Sequence, residues 1–407
     1  MKVLQVNSVA NIGSTGRIAD GIGSLLLSEK NESVIAYGRS ARKSSSTLIR
    51  IGGKVDYTMH ALKNRITDKH GLYSANATRD FIKTITELNP DIIHLHNIHG
   101  YYLNYEIFFD FLKRYGRPVV WTLHDCWPFT GHCAYFDMTG CKKWEHECYE
   151  CPAKSSYPKS YKDNSRDNFF RKRQAFSSVE NMTLVPVSYW LRDLLKDSFL
   201  KDYPTEVIHN GIDIDVFKPA ESEAVNLRTN GYKHIVLGVA NIWDKRKGLV
   251  DIIKLRSMLP NEFLIVAIGV DRKVASKMPD GILCIERTDN VGQLAGYYSS
   301  ADVFINPTYE DNYPTTILES ISCGTPVITY NTGGCAESVD NGTGVIVNKG
   351  DLTAMKDAII NIVSEKTPEV RDTCREKAVR SFSDKICFKQ YLELYKQIIK
   401  KNEHIHR

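Results

Sequence analysis

Short runs of consecutive apolar residues recur along this chain, each followed by a stretch with helical spacing, and the pattern begins again near the middle. Residues 3–6, 33–37, 91–96 and 118–123 read as strands, with shorter ones over 185–187 and 205–209. Helical spacing covers 17–29 (Ile18, Ile22, Leu25, Leu26) and 78–88, the latter stopping before Pro90. Strands this uniformly apolar are buried on both faces, as in parallel sheets sheathed by helices. After residue 220 the alternation resumes: strands at 234–239, 263–268, 281–285, 303–305 and 326–329, helices at 248–258, 291–298 and 315–323. Two repeats of about 200 residues each predict two doubly wound α/β domains. The stretch 209–224, HNGIDIDVFKPAESEA, has a Gly turn, a Pro and little periodicity, and reads as the hinge. A last helix over 383–400 (Ile386, Phe388, Tyr391, Leu394, Tyr395, Ile398) is expected to pack back on the first domain. The expected division is therefore 1–208 with 384–407, and 209–383.

The length of 407 residues, with 42% hydrophobic and 25% charged residues, suffices for two cores. A formal net charge of +5 is small for that length and argues against a dedicated nucleic-acid binder. The opening MKVLQVNSVA reaches polar Asn7 and Ser8 too early for a secretory signal. No run approaches the roughly 18 apolar residues of a membrane span. A cytoplasmic protein is expected, with peripheral contact at the inner face of the plasma membrane as a further expectation.

The segment 309–327, YEDNYPTTILESISCGTPV, carries the most chemistry. Asp311 falls in a loop after the strand at 303–305, and Glu319 falls on the next helix. Open α/β sheets bind ligands beyond the carboxyl ends of their strands. A helix N-terminus there offers N–H groups to phosphate, and Thr315 or Thr316 is expected to cap it, with Pro314 at its entry. Carboxylates suit paired sugar or ribose hydroxyls. Any one of these acids could equally be a solvated group favoured by the helix dipole.

The whole string, running into Gly324-Thr325-Pro326-Val327, resembles the signature of the retaining glycosyltransferase family four, of GT-B fold: an acid, seven residues, a glutamate, a small-residue helix and Gly-x-Pro-Val. The resemblance implies two Rossmann-like domains facing each other across a cleft, with Asp311 contacting the donor sugar and Glu319 holding the nucleotide ribose. The first acid of the family is usually Glu, so Asp311 is a shortened variant, and Glu310 is placed to share its role. Further positions match. Residues 11–17, NIGSTGR, resemble the Gly-rich loop after the first strand, which brings Gly13, Gly16 and Arg17 to donor phosphate and acceptor; an ordinary strand-to-helix turn would look alike. Residues 238–248, GVANIWDKRKG, resemble the loop that gives cations to the donor diphosphate. Lys247 matches the family Lys, Asn241 stands where Arg is usual, and Arg246 or Lys245 is left to compensate. Residues 207–219 resemble the interdomain segment and 332–337, TGGCAE, a following turn. His124, before Asp125 at a strand end, is implied to lie near the donor sugar; a satisfied core pair is the alternative.

The resemblance implies retention of anomeric configuration, with a nucleoside diphosphate as leaving group. Lys247, Arg246 and helix N-termini would stabilise the charge that develops on the β-phosphate. The leaving phosphate can take the acceptor's proton, unlike the paired-carboxylate hydrolases. No Asp-x-Asp motif stands near the donor segment, so no catalytic metal is expected.

Five cysteines fall within 26 residues. Cys133, Cys141, Cys148 and Cys151, ending in C-x-x-C, suit a closed tetrahedral Zn²⁺ site; Cys126, His132 and His146 are spare ligands. An iron–sulfur cluster, a redox disulfide and plain buried cysteines are the alternatives. This insertion, at about 126–176, resembles a bacterial exopolysaccharide subgroup of the colanic-acid type. Within it, residues 153–176 hold seven Lys and Arg against two Asp, with interleaved aromatics. They form either a mobile solvated connector before a helix or a patch for anionic headgroups or a lipid-diphosphate acceptor. The expected activity is sugar transfer from a nucleoside-diphosphate sugar to a saccharide or lipid-linked acceptor. A GT-B-fold epimerase or phosphorylase competes, although no pyridoxal-lysine signature is found, as does an inactive sugar-nucleotide-binding protein.

Overall fold

The computed structural model describes residues 1–220, 228, 231–365 and 368–405. The chain divides into two compact units, Met1–His209 with Cys387–Arg407, and Asn210–Ile386. Of the expected hinge, residues 221–224 lie outside the described residues.

The first unit contains β1 (Lys2–Ala10), α1 (Gly13–Ser28), β2 (Glu32–Ala41), β3 (Thr47–Arg50), α2 (Lys54–Thr67), α3 (Ala75–Leu88), β4 (Ile92–Leu95), α4 (Tyr105–Tyr115), β5 (Val119–Leu123), α5 (Ser165–Phe176), β6 (Met182–Pro186) and α6 (Tyr189–Leu195). Its six strands pair in the order β3-β2-β1-β4-β5-β6, all parallel. The strand expected over 205–209 is reduced to one bridge, Leu184 to Thr205. Pro186 and Pro204 flank that bridge without N–H groups, so a ladder cannot extend there.

The second unit contains β7 (His234–Val239), α7 (Leu249–Met258), β8 (Phe263–Ile268), α8 (Arg272–Ala275), β9 (Ile282–Ile285), α9 (Val291–Ser300), β10 (Val303–Asn306), α10 (Thr315–Ser322), β11 (Val327–Tyr330), β12 (Gly344–Val347), α11 (Leu352–Ser364) and α12 (Pro368–Ser381); α13 (Asp384–Ile405) ends the chain. Its strands pair β12-β11-β10-β7-β8-β9, again all parallel. In each unit the order reverses direction beside the first strand, between β1 and β4 and between β7 and β10. Such a switch point leaves a crevice at the strands' carboxyl ends. Among the described residues no helix is long and apolar enough to cross a membrane.

From Cys387 onward α13 belongs to the first unit. Phe388, Tyr391, Leu392 and Tyr395 are buried with Ile18, Ile22 and Leu26 of α1 and with Val3, Ile92, Val120 and Val185 from the sheet. A polar string runs beneath. The Thr122 hydroxyl donates to Tyr391 Oη at 3.0 Å, so the His94 Nε2 proton points to Thr122 Oγ1 at 2.7 Å. His94 Nδ1 then accepts from the Tyr395 hydroxyl at 2.6 Å. Every member is buried and partnered, which fixes the helix's register as apolar packing alone would not. Phe388→Ala is expected to lower unfolding stability by about 3 kcal/mol. A denaturation midpoint within error of wild type would refute this account of the helix.

Candidate functional site

The switch point of the second unit gathers three loops. The loop after β7 ends in a short 3-10 turn, Lys245–Lys247, capped by Asp244, whose Oδ1 accepts from Lys247 N at 3.0 Å. Gly248 follows at φ +77°, and a Cβ there would stand 2.1 Å from the Pro307 carbonyl oxygen. Only glycine lets this loop lie on the backbone leaving β10. The Arg246 carbonyl accepts from Tyr309 N at 2.7 Å and the Thr308 hydroxyl at 3.2 Å, and Arg246 Nη1 donates to the Glu310 carbonyl at 2.7 Å. The third loop, after β11, brings Gly333 at φ +52°, where a Cβ would fall 1.7 Å from the Asp311 carbonyl oxygen, while Thr332 Oγ1 donates to the Tyr309 carbonyl at 2.9 Å.

Asp311 sits where the three loops meet. Its Oδ2 is ion-paired with Lys247 Nζ and its Oδ1 accepts from Asn312 N at 3.0 Å. Burial alone would raise this carboxyl, but Lys247 and Arg246 outweigh it and hold Asp311 below the usual carboxylate range. A charged carboxylate and two cations thus converge at the end of β10. The Glu310 side chain is buried beside them and Asn241 is exposed at the start of the first loop.

Glu319, on α10, is only 2% exposed, and its Oε2 accepts from the Tyr298 hydroxyl of α9 at 3.0 Å. Glu319 is therefore a buried carboxylate already oriented by α9. The helix start departs from expectation. Pro314, not Thr315 or Thr316, occupies the N-cap, and no side chain caps the turn. Thr315 is already the first helical residue, too far along to reach the second- and third-position N–H groups. Tyr309 and Tyr330, whose hydroxyls donate to Asp251 Oδ2 at 2.7 and 2.8 Å, anchor the same loop from below. Asp251 gave no signal in sequence because it sits inside an ordinary helix. A recess of 800 Å³ along β12, α11 and α12, lined by Val345, Asp351, Ala358 and Glu369, shares none of these residues.

In the first unit the loop after β1 turns through Asn11 (φ 51°) and Gly13 (φ 65°) into α1, whose N-cap Ile12 supplies no side-chain bond. Gly16 is buried, its carbonyl accepting from Asn11 N at 3.0 Å, while Gly13 and Arg17 are exposed. At the ends of β4 and β5 a relay fixes His124. Gln5 Nε2 donates to the Ala19 carbonyl at 2.8 Å, so Gln5 Oε1 faces His96 Nε2 at 3.0 Å as acceptor. His96 Nε2 then carries the proton, its Nδ1 accepts, and His124 Nε2 is the donor to it at 3.2 Å. His124 is left with Nδ1 in the acceptor form. Burial, with His99 adding to it against Asp125, pulls its pKa down to about 4, so the ring is neutral at pH 7.

Beside it, Asp125 Oδ2 accepts from His99 Nε2 at 2.9 Å and Oδ1 from Trp127 N at 2.9 Å; His99 Nδ1 meets the Tyr157 hydroxyl at 2.9 Å. His99 and Tyr157 were not expected from sequence. The spacing His94-x-His96-x-x-His99 at a strand end is the signal that could have found His99.

The expected zinc site in the insertion is not supported. Among the described residues no group of three or more His, Cys, Asp and Glu is placed to hold a metal ion. Cys133 and Cys151 share a hydrogen bond, which together with burial pushes the Cys133 thiol up and, against burial, draws Cys151 down to about 7. Cys148 Sγ instead accepts the Gly131 N–H at 3.2 Å, and Cys141 is half-buried at the rim. No disulfide joins any of the ten cysteines. The insertion is held by apolar packing of Phe129, Phe136 and Trp144 and by Lys172. Lys172 Nζ lies 3.5 Å over the Trp127 ring and donates to the Trp127 and Thr130 carbonyls at 2.7 and 3.0 Å. Burial pulls its pKa to about 7.

Two family descriptions match this chain: "Glycosyltransferase Family 4" over residues 33–216 and "Glycosyl transferases group 1" over 233–365. The chain belongs to glycosyltransferase family 4 and has the GT-B fold. It is 23% identical over 314 residues, covering 75% of this chain and 74% of the other, to the putative colanic acid biosynthesis glycosyl transferase WcaC of Escherichia coli strain K12. Among solved structures it resembles sucrose-phosphate synthase from Thermosynechococcus elongatus, with a TM-score of 0.74 at 17% identity over 98% of this chain and 100% of that one. It also resembles Anabaena HepE in complex with UDP-glucose, with a TM-score of 0.66 at 14% identity over 98% and 100%.

Proposed function

We propose that this chain moves a sugar from a nucleoside-diphosphate sugar to a saccharide or lipid-linked acceptor during assembly of a bacterial surface polysaccharide, with anomeric configuration retained. The carrying observation is the convergence of Lys247, Arg246 and Asp311 at the switch point of the second unit. The likeness to WcaC supports the polysaccharide setting, and the likeness to HepE, solved with UDP-glucose, supports the donor class. The protein would work in the cytoplasm, at the inner face of the plasma membrane if its acceptor is lipid-linked.

In this reading Asp311 takes sugar hydroxyls, with Glu310 behind it. Lys247, held in place by Asp311, meets the charge that builds on the β-phosphate, and Arg246 adds to the field. The uncapped start of α10, at Thr315, gives its N–H groups to phosphate. Glu319, oriented by Tyr298, takes the ribose. In the first unit, Gly13, Gly16 and Arg17 are assigned to acceptor contact and neutral His124 to a sugar hydroxyl.

A panel of nucleotide sugars, assayed for nucleoside-diphosphate release with and without acceptor saccharide, tests the reading. Release that requires acceptor supports transfer, and nucleotide binding without release under any combination would replace the enzyme with a binding protein. Glu319→Ala is expected to weaken nucleoside-diphosphate binding by about 10²-fold, the loss of a charged, twice-bonded acceptor. Unchanged affinity by calorimetry would remove Glu319 from the ribose.

A further inference from the structure

Helix α2 is built inside out. Its buried side chains are His60 and Asn64, whereas Val55, Met59, Leu62 and Ile66 are 75%, 44%, 55% and 52% exposed. At about 100° per residue these four fall within roughly 60° of one another, on the side opposite His60 and Asn64, in a stripe about 16 Å long. The hydrophobic effect does not leave four large aliphatic side chains aligned in water unless something covers them.

The surroundings indicate what that is. Lys54 and Arg65 flank one side of the stripe by helical position and Lys63 the other. At the N-terminal end of α2, Arg39, Arg50 and Lys54 line a 280 Å³ recess with Ser40 and Tyr57, and no acid joins them. Asp56, the one acid of the helix, has its Oδ2 committed to the Gly53 N–H at 2.7 Å. Residues 39–69 carry eight Lys and Arg against two Asp, a formal excess larger than the +5 of the entire chain.

The basic segment 153–176 joins this face. Tyr161 N donates to the Arg65 carbonyl at 2.8 Å, Ser160 Oγ to the Asn64 carbonyl at 3.2 Å, and the Arg65 guanidinium stands 5.3 Å from the Tyr161 ring centre. Tyr161 is 70% exposed, between exposed Lys159 and Lys162. Three other basic residues of 153–176 are used differently: Lys172 is buried, Arg171 is paired bidentately with Glu106, and Arg166 is paired with Glu147.

We propose that α2, with the strap carrying Tyr161, docks the first unit on an anionic phospholipid surface. The aliphatic stripe enters the headgroup–acyl boundary, the Tyr161 ring lies at headgroup depth, and the Arg39–Arg50–Lys54 recess takes a lipid phosphate. A second copy fits less well, because a two-fold contact through the stripe would bring the same cationic rims together. The inference does not depend on the sugar chemistry, since neither donor nor acceptor enters it.

The test is co-sedimentation of the full chain, without nucleotide sugar, with phosphatidylcholine vesicles and with vesicles one-third phosphatidylglycerol. Binding is expected to be about tenfold or more stronger on the anionic vesicles and to weaken with added salt. Leu62→Glu with Ile66→Glu, and separately Arg50→Glu with Lys54→Glu, should each weaken it about tenfold or more. All four positions are exposed, so melting curves should not move. Variants that sediment like wild type, equal binding to neutral vesicles, or a wild-type dimer that the Leu62→Glu/Ile66→Glu pair splits while vesicles stay unbound would each overturn the proposal. Nucleoside-diphosphate release on a water-soluble acceptor is scored separately, so either reading can fail without the other.

Discussion

Between about pH 6.5 and pH 5.5 the first unit is expected to lose on the order of 5 kcal/mol of stability and to unfold ahead of the second. The cause is its buried histidines. Burial, first among the causes in each case, lowers the pKa of His60 and His94 to about 3 and of His124 to about 4, and holds His70 and His96 well below the ordinary value. In the unfolded chain all five titrate near 6.5. Below that pH the unfolded state binds protons that the folded state cannot accept, so stability falls with pH, by about 1.4 kcal/mol per histidine for each unit. His94, His96 and His124 lie against one another, so protonating one makes the next harder. A domain of ordinary stability, about 5–15 kcal/mol, cannot absorb much of this. Calorimetry across that range should show one transition moving down steeply and one moving little. His60→Asn should remove about one histidine's share of the slope. Two transitions insensitive to pH above 5.5 would contradict the account.

That dependence on buried polar groups also marks the limit of what the sequence discloses. Strands β7 and β8 were legible to the residue, because each is a nearly continuous apolar run buried on both faces. β12 was not, since Val345 and Ile346, 37% and 42% exposed at the sheet's edge, have no inward face to repeat. α2 escaped for the opposite reason: its periodicity is present, but it points outward. At the site, Lys247 and Asp311 were legible as charges placed just beyond strand ends, and the loops do bring them together. The Gln5–His96–His124 relay was not, because it depends on the register of β1, β4 and β5, and a glutamine inside an apolar strand looks like any other tolerated polar residue. The cysteine spacing suggested a metal. Among the described residues no such metal-holding group forms; the sulfurs include a thiol pair and an acceptor of a backbone N–H, and rings and Lys172 hold the insertion.

Lys247→Met is expected to lower kcat/KM for acceptor-dependent nucleoside-diphosphate release by about 10²–10³-fold, the usual cost of losing one fixed charge at a developing anion. The cation's position is specified three times over: by the Asp244 cap, by the Gly248 turn against Pro307, and by its bond to Asp311. Little reorganisation is then needed as the diphosphate gains charge. The same substitution also strands the largely buried Asp311 carboxylate, and breaking a buried pair from one side costs about 3–5 kcal/mol. Stability loss alone could therefore imitate a catalytic one. The double variant Lys247→Met/Asp311→Asn separates them. It removes both charges, so thermal stability should return most of the way to wild type, while transfer should stay at least as low as in the single variant. Recovery of transfer in the double variant would mean that Lys247 and Asp311 serve only each other. Low transfer at restored stability would place the cation on the donor phosphate and the carboxylate on the sugar, with Asp311 ionised through the neutral range because Lys247 and Arg246 hold its pKa down against burial.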